Sequence, residues 1–433
     1  MAGIQPVVMV PDENARAYAN SSAPVRADGQ GPPIHASDEM RRLATPWLVA
    51  MARASLLETS KLPPGVILDP ACGSATQLAA LCAALNRPGL GVELSGAAAP
   101  LAAINLEQCA IWSEANWGTS SRILWGDGTD AKAILETYHQ NIGVSEPVAL
   151  LHIDPARPQD AQKHTLDEMQ PRLDELLSEW APYLGNNPAL ILDLSPRLSD
   201  TQRLEVDNIV STIWPGVNRT WQWMTQGRGR IDRLSLWVGA VADSQPNRLI
   251  RLGKGGDFSG IITGESESAI SDSNQVQIGE HLTIVDPCLI ASGLAESWKH
   301  TASMSDSRWN TVTGRRPILI SAAPILSTDP EHHVGEDTSE TIFAFVQISG
   351  EVVAQITTLD YENASQIAQI ASELGISSLK IRCTIDPEVQ PKLQSLLDRE
   401  MRNLSPPNSS ISGFISEVGN GLVICKEHPQ PAP

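Results

Sequence analysis

The sequence predicts an α/β fold in which a doubly wound parallel sheet holds a ligand at the carboxyl ends of its strands. Residues 66–93 indicate a strand, a glycine turn, a helix and a second strand, which is the first βαβ unit of such a sheet. Residues 148–153 are apolar apart from His152, as is typical of a strand buried on both faces. The length of 433 residues exceeds the usual size of one core and predicts two domains.

The composition indicates an ordinary globular protein with an acidic balance. Hydrophobic residues make up 42% of the chain, and its formal net charge is −19. Proteins that grip many phosphates usually have a basic face, so this balance weakens the expectation of a nucleic-acid partner. The six cysteines form no Cys-x-x-Cys pair, so neither a metal site nor a disulfide framework is predicted. No signal peptide or membrane-spanning run is recognised, and we expect a cytoplasmic protein.

The N-terminal part predicts a lead-in followed by a helix. Residues 1–36 are rich in Pro, Gly, Ala and Ser and predict a flexible segment with at most short structured pieces. Ser37 is placed to cap a helix, and apolar residues from Met40 to Leu57 follow helical spacing.

The turn after the first sheet strand carries the first candidate ligand residues. Gly73 allows the backbone to approach a ligand closely, because it has no Cβ. Glu93 follows 20 residues later at the tip of the second strand, where its carboxylate can accept both hydroxyls of a ribose. Asp69, at the tip of the first strand, is placed to accept from an ammonium group or a bound water.

A dinucleotide fits this turn less well than a phosphate-free ligand. The Gly-x-Gly-x-x-Gly pattern would need glycines at positions that Ala75 and Leu78 occupy. S-adenosylmethionine has a ribose, an adenine and an ammonium group but no phosphate. A dinucleotide-dependent oxidoreductase and a plain α/β turn without a ligand remain as alternatives.

Two later strand ends add candidate site residues. The third strand ends in Gly-Asp-Gly, where Asp127 can accept from the amino group of adenine and the flanking glycines can make room for the ring, although Asp-Gly is also a common turn pair. The fourth ends in Asp-Pro-Ala-Arg, where Pro155 fixes the backbone and Asp154 can form a rigid wall for a substrate. Arg157 could hold a carboxylate or phosphate, or pair with a nearby acid.

These strings resemble a known family. The segment Asp69-x-x-Cys-Gly-x-Ala-Thr76 resembles the first motif of class I S-adenosylmethionine-dependent methyltransferases. Asp-Pro-Ala-Arg at 154–157 is similar to the fourth motif of those members that carry a C-terminal THUMP-like domain. The resemblance implies a Rossmann-like seven-stranded sheet over residues 37–244 and an α+β THUMP-like domain over residues 245–433.

The resemblance also implies a cofactor, a site and an acceptor. S-adenosyl-L-methionine would be held by Asp69, Ala71, Gly73, Glu93, Asp127 and Asp154. Asp154 and Arg157 would face the methyl group and its acceptor. Because THUMP domains bind RNA in their usual settings, the acceptor implied is tRNA or rRNA.

Three departures from the family pattern support an alternative. Pro158, Asp193 and Arg197 stand where the family usually has arginine, lysine and glycine. All three lie on the expected acceptor side, so a non-catalytic binding or scaffold protein that keeps the fold is the second hypothesis.

Periodicity predicts the remaining elements. They are a helix over 166–184, a strand over 189–194, a closing pair of strands over 221–224 and 233–241, an acidic loop over 326–339, strands over 342–348 and 351–356, a helix over 364–374, a strand over 379–382, a helix over 392–401 and a final hairpin over 413–425.

Overall fold

The computed structural model describes residues 4–23, 25, 31–155, 166–169, 171–227, 229–272, 275–325, 336–404, 410–419 and 421–429. The chain divides into two compact units. The first comprises Met1–Met224, Ile231–Pro246 and Leu252–Phe258, and the second comprises Thr225–Arg230, Asn247–Arg251 and Ser259–Pro433. The domain limits given above stay predictions.

The helices and strands are numbered along the chain. The helices are α1 (Glu13–Ser22), α2 (Asp38–Leu43), α3 (Trp47–Ala54), α4 (Thr76–Leu85), α5 (Ala99–Trp112), α6 (Ala131–Ile142), α7 (Leu173–Leu184), α8 (Asp200–Ile213), α9 (Cys288–Ala291), α10 (Ala295–Thr301), α11 (Glu336–Phe343), α12 (Ala364–Glu373) and α13 (Gln390–Leu404). The strands are β1 (Val7–Val8), β2 (Val66–Asp69), β3 (Gly89–Glu93), β4 (Arg122–Trp125), β5 (Val148–Ile153), β6 (Ala189–Leu194), β7 (Arg219–Thr225), β8 (Arg233–Gly239), β9 (Asn247–Leu252), β10 (Phe258–Gly264), β11 (His281–Val285), β12 (Arg308–Thr311), β13 (Ile318–Ser321), β14 (Val346–Ile356), β15 (Ser378–Ile381), β16 (Ser412–Val418) and β17 (Gly421–Glu427).

The sheet of the first unit has the strand order β1-β4-β3-β2-β5-β6-β8-β7. Strands β4, β3, β2, β5 and β6 are parallel, whereas β8 runs antiparallel to β6 and β7 antiparallel to β8. The chain runs outward from β2 to β3 and β4 on one side, and β5 and β6 lie on the other. The strand order therefore reverses beside β2, and ligands of open α/β sheets bind at the carboxyl ends of strands at such a point.

The core of the first unit is densely apolar around α4. Leu78 and Leu81 of this helix are buried, and they join a cluster that includes Ile67 of β2 and Trp237 of β8. Each such side chain stabilises the fold by roughly 1.5–3 kcal/mol through the apolar surface it removes from water. This packing fixes the turn between β2 and α4.

The helix predicted between Met40 and Leu57 is two helices. The Oγ of Ser37 accepts a hydrogen bond from the Met40 N–H at 3.2 Å, so the predicted cap of α2 is confirmed. Pro46 ends the first helical run, because it has no N–H to continue the ladder, and it stands as the N-cap residue of α3. The second helix then carries Arg53, which is only 2% exposed, into the unit.

The lead-in contains the short structured pieces that its sequence allows. Strand β1 pairs antiparallel with β4. Helix α1 begins after Asp12, whose carboxylate accepts from Ala15 N–H. Its buried Ala19 packs with Leu101 and Ile104 of α5.

The second unit contains a sheet with the order β12-β13-β11-β14-β17-β16-β15. Neighbouring strands are antiparallel except β15 and β16, which are parallel. Helices α12 and α13 bury Ile367, Leu393 and Leu397 in one cluster with Ile415 and Ile424 of the sheet.

Three sequence predictions were wrong in their boundaries. The sequence predicts a strand from 342, but helix α11 extends to Phe343 and β14 begins at Val346. Strand β14 then continues to Ile356, without the predicted break before 351. The strand passes through Gly350, where a Cβ would lie 2.4 Å from a carbonyl of β17. Helix α7 begins at Leu173 rather than 166, because Pro171 cannot donate an N–H and residues 166–168 form a separate 3₁₀ turn. Residues 336–339 of the predicted loop are helical, and its earlier part lies outside the described residues.

Within the described parts of the chain, no helix is both long and apolar enough to cross a bilayer.

Candidate functional site

Glu93 and Gly73 meet at the carboxyl ends of β3 and β2. The Gly73 N–H donates to Glu93 Oε2 at 3.0 Å, and the Ser95 N–H donates to Oε1 at 2.7 Å. Desolvation raises the pKa of Glu93, while these two N–H groups act in the opposite direction. Each carboxylate oxygen has two lone pairs, so both can still accept from a ligand hydroxyl. The side chain is thus held in place with acceptor capacity left over.

The backbone at Gly73 borders open space. Its φ of +53° is a conformation that glycine adopts without a steric penalty, and among the described residues no atom beyond its chain neighbours lies within 4 Å of the position a Cβ would take. Gly128 differs, because a Cβ there would lie 2.0 Å from the Pro70 carbonyl oxygen. The structure therefore gives Gly128 a packing role between two loops, whereas the sequence interpretation assigned it to room for a ligand ring.

Asp127 lies in the loop after β4, at the same edge of the sheet. Its Oδ1 accepts hydrogen bonds from the N–H of Thr129 at 3.0 Å and from its hydroxyl at 2.7 Å. Trp180 donates to the Gly128 carbonyl at 2.9 Å and fixes the loop from the other side. The loop is thereby rigid, and the adenine role of Asp127 stays a prediction.

Asp69 is buried rather than open to a ligand. It is 2% exposed, its Oδ1 accepts from Ala71 N–H at 3.1 Å, and its Oδ2 accepts from His152 Nδ1 at 2.8 Å. Ala71 itself is half-buried in the turn that Asp69 orders. Direct contact of Asp69 with an ammonium group stays a prediction, and what the structure provides is a hydrogen bond to His152 of the neighbouring strand.

The hydrogen bond between Asp69 and His152 continues into a buried charge network. The Nε2 of His152 donates to Asp193 Oδ2 at 3.1 Å, and Arg53 donates to Asp193 with both terminal nitrogens, the Nη1 contact measuring 2.7 Å. All four side chains are at most 6% exposed. We call Arg53, Asp193, His152 and Asp69 the buried network; it joins α3 to β6, β5 and β2.

Its charges balance within the protein. Burial alone would lower the pKa of His152, but the carboxylates of Asp69 and Asp193 raise that pKa to about 10. Burial would raise the pKa of Asp193, but Arg53 and His152 outweigh it and hold the pKa well below its usual range. At neutral pH the network thus contains two cations and two anions, and both imidazole nitrogens donate.

Asp154 follows β5 directly above this network and is exposed. Desolvation and, next in size, the negative charge of Asp193 raise the pKa of its carboxyl group. Its exposed surface lets water reach the carboxyl group, which opposes this rise. Arg157 and Pro158, which the sequence analysis singled out, lie outside the described residues.

Sequence reasoning missed Arg53 and His152 as members of the site region. His152 was visible as the one polar residue within an apolar strand, and a buried polar side chain needs a partner. Arg53 gave no such signal, because a charged residue within an amphipathic helix is ordinary. Asp193 was noticed only as a departure from a family pattern, and the structure pairs it with Arg53.

Comparison with known proteins gives the fold. No family model and no curated protein matches the sequence. Among solved structures, a presumed methyltransferase from Porphyromonas gingivalis W83 superposes with a TM-score of 0.56 at 14% identity, covering 92% of this chain and 84% of that one. The chain thus has the fold of that protein through most of its length.

Two other solved structures match less of the chain. Cofactor-bound Rv0187 from MTB covers 54% of this chain and 92% of its own at 15% identity, with a TM-score of 0.30. An O-methyltransferase from Bacillus cereus, solved in complex with SAH, covers 53% and 91% at 14% identity, with a TM-score of 0.29. Scores this low do not extend the fold assignment.

Proposed function

We propose that the first unit is a class I methyltransferase that uses S-adenosyl-L-methionine and that the second unit is a THUMP-like domain. In this proposal β4-β3-β2-β5-β6-β8-β7 is the seven-stranded Rossmann-like sheet of the class. The acceptor is RNA, either tRNA or rRNA, by the sequence resemblance. The fold shared with the P. gingivalis protein supports the class, and the site residues support the cofactor.

The observation that carries the proposal is the pairing of Glu93 with Gly73. A carboxylate that still has lone pairs lies 3.0 Å from the backbone of a turn bordered by open space. A ribose placed there would donate its two hydroxyls to Glu93 and pass close to Gly73. Leu94, which is 62% exposed beside Glu93, offers an apolar surface to an attached base.

In this proposal the methyl group and its acceptor meet at the carboxyl ends of β2 and β5. S-adenosylmethionine supplies an electrophilic methyl group on a sulfonium, so alignment of the acceptor with that group supplies much of the rate. Asp154 would orient the acceptor and take up its proton, for which a pKa raised toward neutrality suits it. The buried network beneath would hold β2, β5 and β6 in register.

The ion pair between Arg53 and Asp193 weakens one of the three reasons for the scaffold alternative. Its departure from the family's lysine counted as a sign of lost catalysis, but Arg53 on α3 supplies a cation to Asp193 instead. The buried ion pair gives Asp193 a role in the interior of this protein. Arg197 is exposed and carries no comparable argument.

Calorimetric titration of S-adenosylmethionine tests the cofactor. We expect micromolar binding to the wild type and at least a tenfold loss, roughly 1.4 kcal/mol, in Glu93→Ala. Glu136→Ala, which changes an exposed helical glutamate that pairs with Lys132 at 3.9 Å, is the matched control and should bind like the wild type. Absence of binding to folded wild-type protein would refute the proposal.

Transfer of labelled methyl groups to total RNA tests the acceptor. Wild-type protein should label RNA, and Asp154→Asn should lower the rate by roughly 100-fold or more, since it can no longer accept a proton. The wild-type rate should rise as pH increases through the raised pKa of Asp154. Label found only in protein or small molecules would contradict the RNA acceptor while leaving the cofactor result intact.

A further inference from the structure

The second unit contains a polar cavity of about 420 Å³ that the proposed methyltransferase chemistry does not use. Four arginines line it, namely Arg251, Arg315, Arg316 and Arg382, together with one carboxylate, Asp286. We call this cavity the arginine pocket. Its volume lies within the range of small-molecule sites, and its walls carry several convergent charges.

The charge of the pocket is opposite to that of its surroundings. Residues 246–433 contain 13 lysines and arginines against 23 aspartates and glutamates, yet four of those 13 cations line one cavity. Four arginines would not be expected to cluster on an ordinary solvent-exposed face of this acidic chain. Like charges held together repel one another, so the arrangement costs stability unless an anion is bound.

The protein compensates only part of this charge. Arg251 Nη1 donates to Asp286 Oδ2 at 2.9 Å, while Asp286 Oδ1 accepts from Cys288 N–H at 3.0 Å. Arg316 Nη1 donates to the backbone carbonyl of Cys383 at 3.2 Å, which does not neutralise it. Among the described residues that line the cavity, one carboxylate against four guanidinium groups leaves a net charge of about +3, because arginine stays protonated in proteins.

Donor capacity is also left over. The Nε of Arg382 is buried and has no hydrogen-bond partner within the described part of the chain. A buried donor without an acceptor is unfavourable in the ligand-free protein, and Arg382 also lines the cavity. Arg315 is exposed at the mouth of the cavity, and its carbonyl is fixed by Gln347 Nε2 at 3.2 Å.

The backbone near Arg251 is shaped to receive its guanidinium. Gly227 has a φ of +95°, and a Cβ there would lie 2.1 Å from Arg251 Nη2. Thr225 orders this turn, because its hydroxyl accepts from Gly227 N–H at 2.9 Å and donates to the Arg230 carbonyl at 2.7 Å. Glycine at 227 therefore lets Arg251 lie against the chain and face the cavity.

We propose that the arginine pocket binds the phosphate monoester of a nucleotide-sized ligand. A phosphate dianion offers three terminal oxygens, each able to accept from a guanidinium, whereas a carboxylate offers only two. Its charge also offsets most of the excess of about three cations. A free nucleotide and the terminal phosphate of an RNA present the same group to the pocket.

Calorimetric titration of the full chain tests the proposal with UMP, uridine and succinate. The pyrimidine avoids any adenine preference of the first unit. UMP should bind, and uridine and succinate should bind at least tenfold more weakly. Arg315→Ala should weaken UMP binding roughly tenfold through the lost charge-assisted hydrogen bonds. Arg399→Ala, an exposed arginine of α13 paired with Glu400 at 3.3 Å, is the matched control.

The outcomes separate the proposal from its rivals. Equal weakening by Arg315→Ala and Arg399→Ala would show general electrostatic attraction and overturn it. Failure of UMP and inorganic phosphate to bind the wild type at millimolar concentration, or succinate binding as well as UMP, would also overturn it. S-adenosylmethionine binding is measured on the same variants, so failure of one site is not confused with failure of the other.

A 5′-phosphorylated RNA oligomer and its 5′-hydroxyl form identify the source of the phosphate. Tighter binding of the phosphorylated form than of UMP, with dependence on Arg315, would support an RNA end as the ligand. Equal affinity for UMP and the phosphorylated oligomer would support a free nucleotide.

Discussion

The two units contain clusters of charged side chains that differ in burial and in charge balance. In the first, Arg53, Asp193, His152 and Asp69 form a chain of hydrogen bonds in which two cations meet two anions. In the second, four arginines line the pocket together with one carboxylate, Asp286, which pairs with Arg251. The formal charges of the buried network balance one another, although the Nε of Arg53 has no hydrogen-bond partner among the described residues, whereas the described lining of the arginine pocket carries more cations than anions.

This difference indicates what each cluster is for. A compensated network gains nothing from a ligand and instead holds four elements in one arrangement, which suits the floor of a site that must stay rigid. An uncompensated cluster is costly to the free protein and is repaid on binding. Substitutions that unbalance the buried network should therefore lower the free energy of unfolding, and substitutions in the arginine pocket should lower the affinity for UMP.

The largest expected effect comes from unbalancing the buried network. Asp193→Ala would leave the buried Arg53 without its carboxylate partner and His152 with Asp69 as its counter-charge, which should lower the free energy of unfolding by roughly 3–5 kcal/mol. Urea denaturation measures this. Asp174→Ala removes an exposed partner of Arg172 and should cost no more than about 1 kcal/mol. Equal losses in the free energy of unfolding for Asp193→Ala and Asp174→Ala would show that the buried network contributes no more than an exposed ion pair.

The charge on His152 should make stability depend on pH. Its folded pKa of about 10 exceeds the unfolded value of roughly 6.5, so its contribution is complete below pH 6.5 and is lost as pH rises toward 10. Between pH 6.5 and 8.5, below the titration of unfolded thiols, we expect a decline of up to about 1.4 kcal/mol per pH unit.

His152→Gln provides the reference for this slope. Denaturation midpoints of the variant should decline less over the same window, because the titration of His152 is removed. The remaining decline reports the other titrating groups, including His281 and His428 with their lowered pKa values, which are the same in both proteins. Parallel pH profiles would mean that His152 is neutral in the fold.

Gly227→Ala changes the backbone behind Arg251 of the arginine pocket. We expect a larger loss in the free energy of UMP binding than in the free energy of unfolding. The positive φ costs roughly 1 kcal/mol for alanine, and the new methyl group must also displace the Arg251 guanidinium. Gly375→Ala, with φ of +79° and open space around the Cβ position, isolates the backbone cost. If both variants bind UMP equally well, Arg251 is not part of the site.

The smallest effect on stability is expected for Arg315→Ala. The side chain is exposed in an uncompensated cluster, so its removal should change the free energy of unfolding of ligand-free protein by no more than about 0.5 kcal/mol. A loss above about 2 kcal/mol in denaturant titrations would instead assign this arginine a structural role like that of Arg53.

The sequence by itself determined the parts that depend on local pattern. Apolar runs bounded by turn residues located the strands β2, β5 and β6, and the placement of Gly73 and Glu93 followed from their spacing along one βαβ unit. Helix boundaries near prolines and the continuous β14 were less well predicted. There the strand pairing of Gly350 outweighed its weak local preference.

Only the tertiary structure decided which charges meet. Arg53 and Asp193 are 140 residues apart in the chain, and Asp69 and His152 are 83 apart. The arginine pocket likewise gathers residues from 251 to 382. Residue types and spacing specify strand ends and turns because those depend on neighbours in sequence, whereas charge compensation depends on which elements pack together.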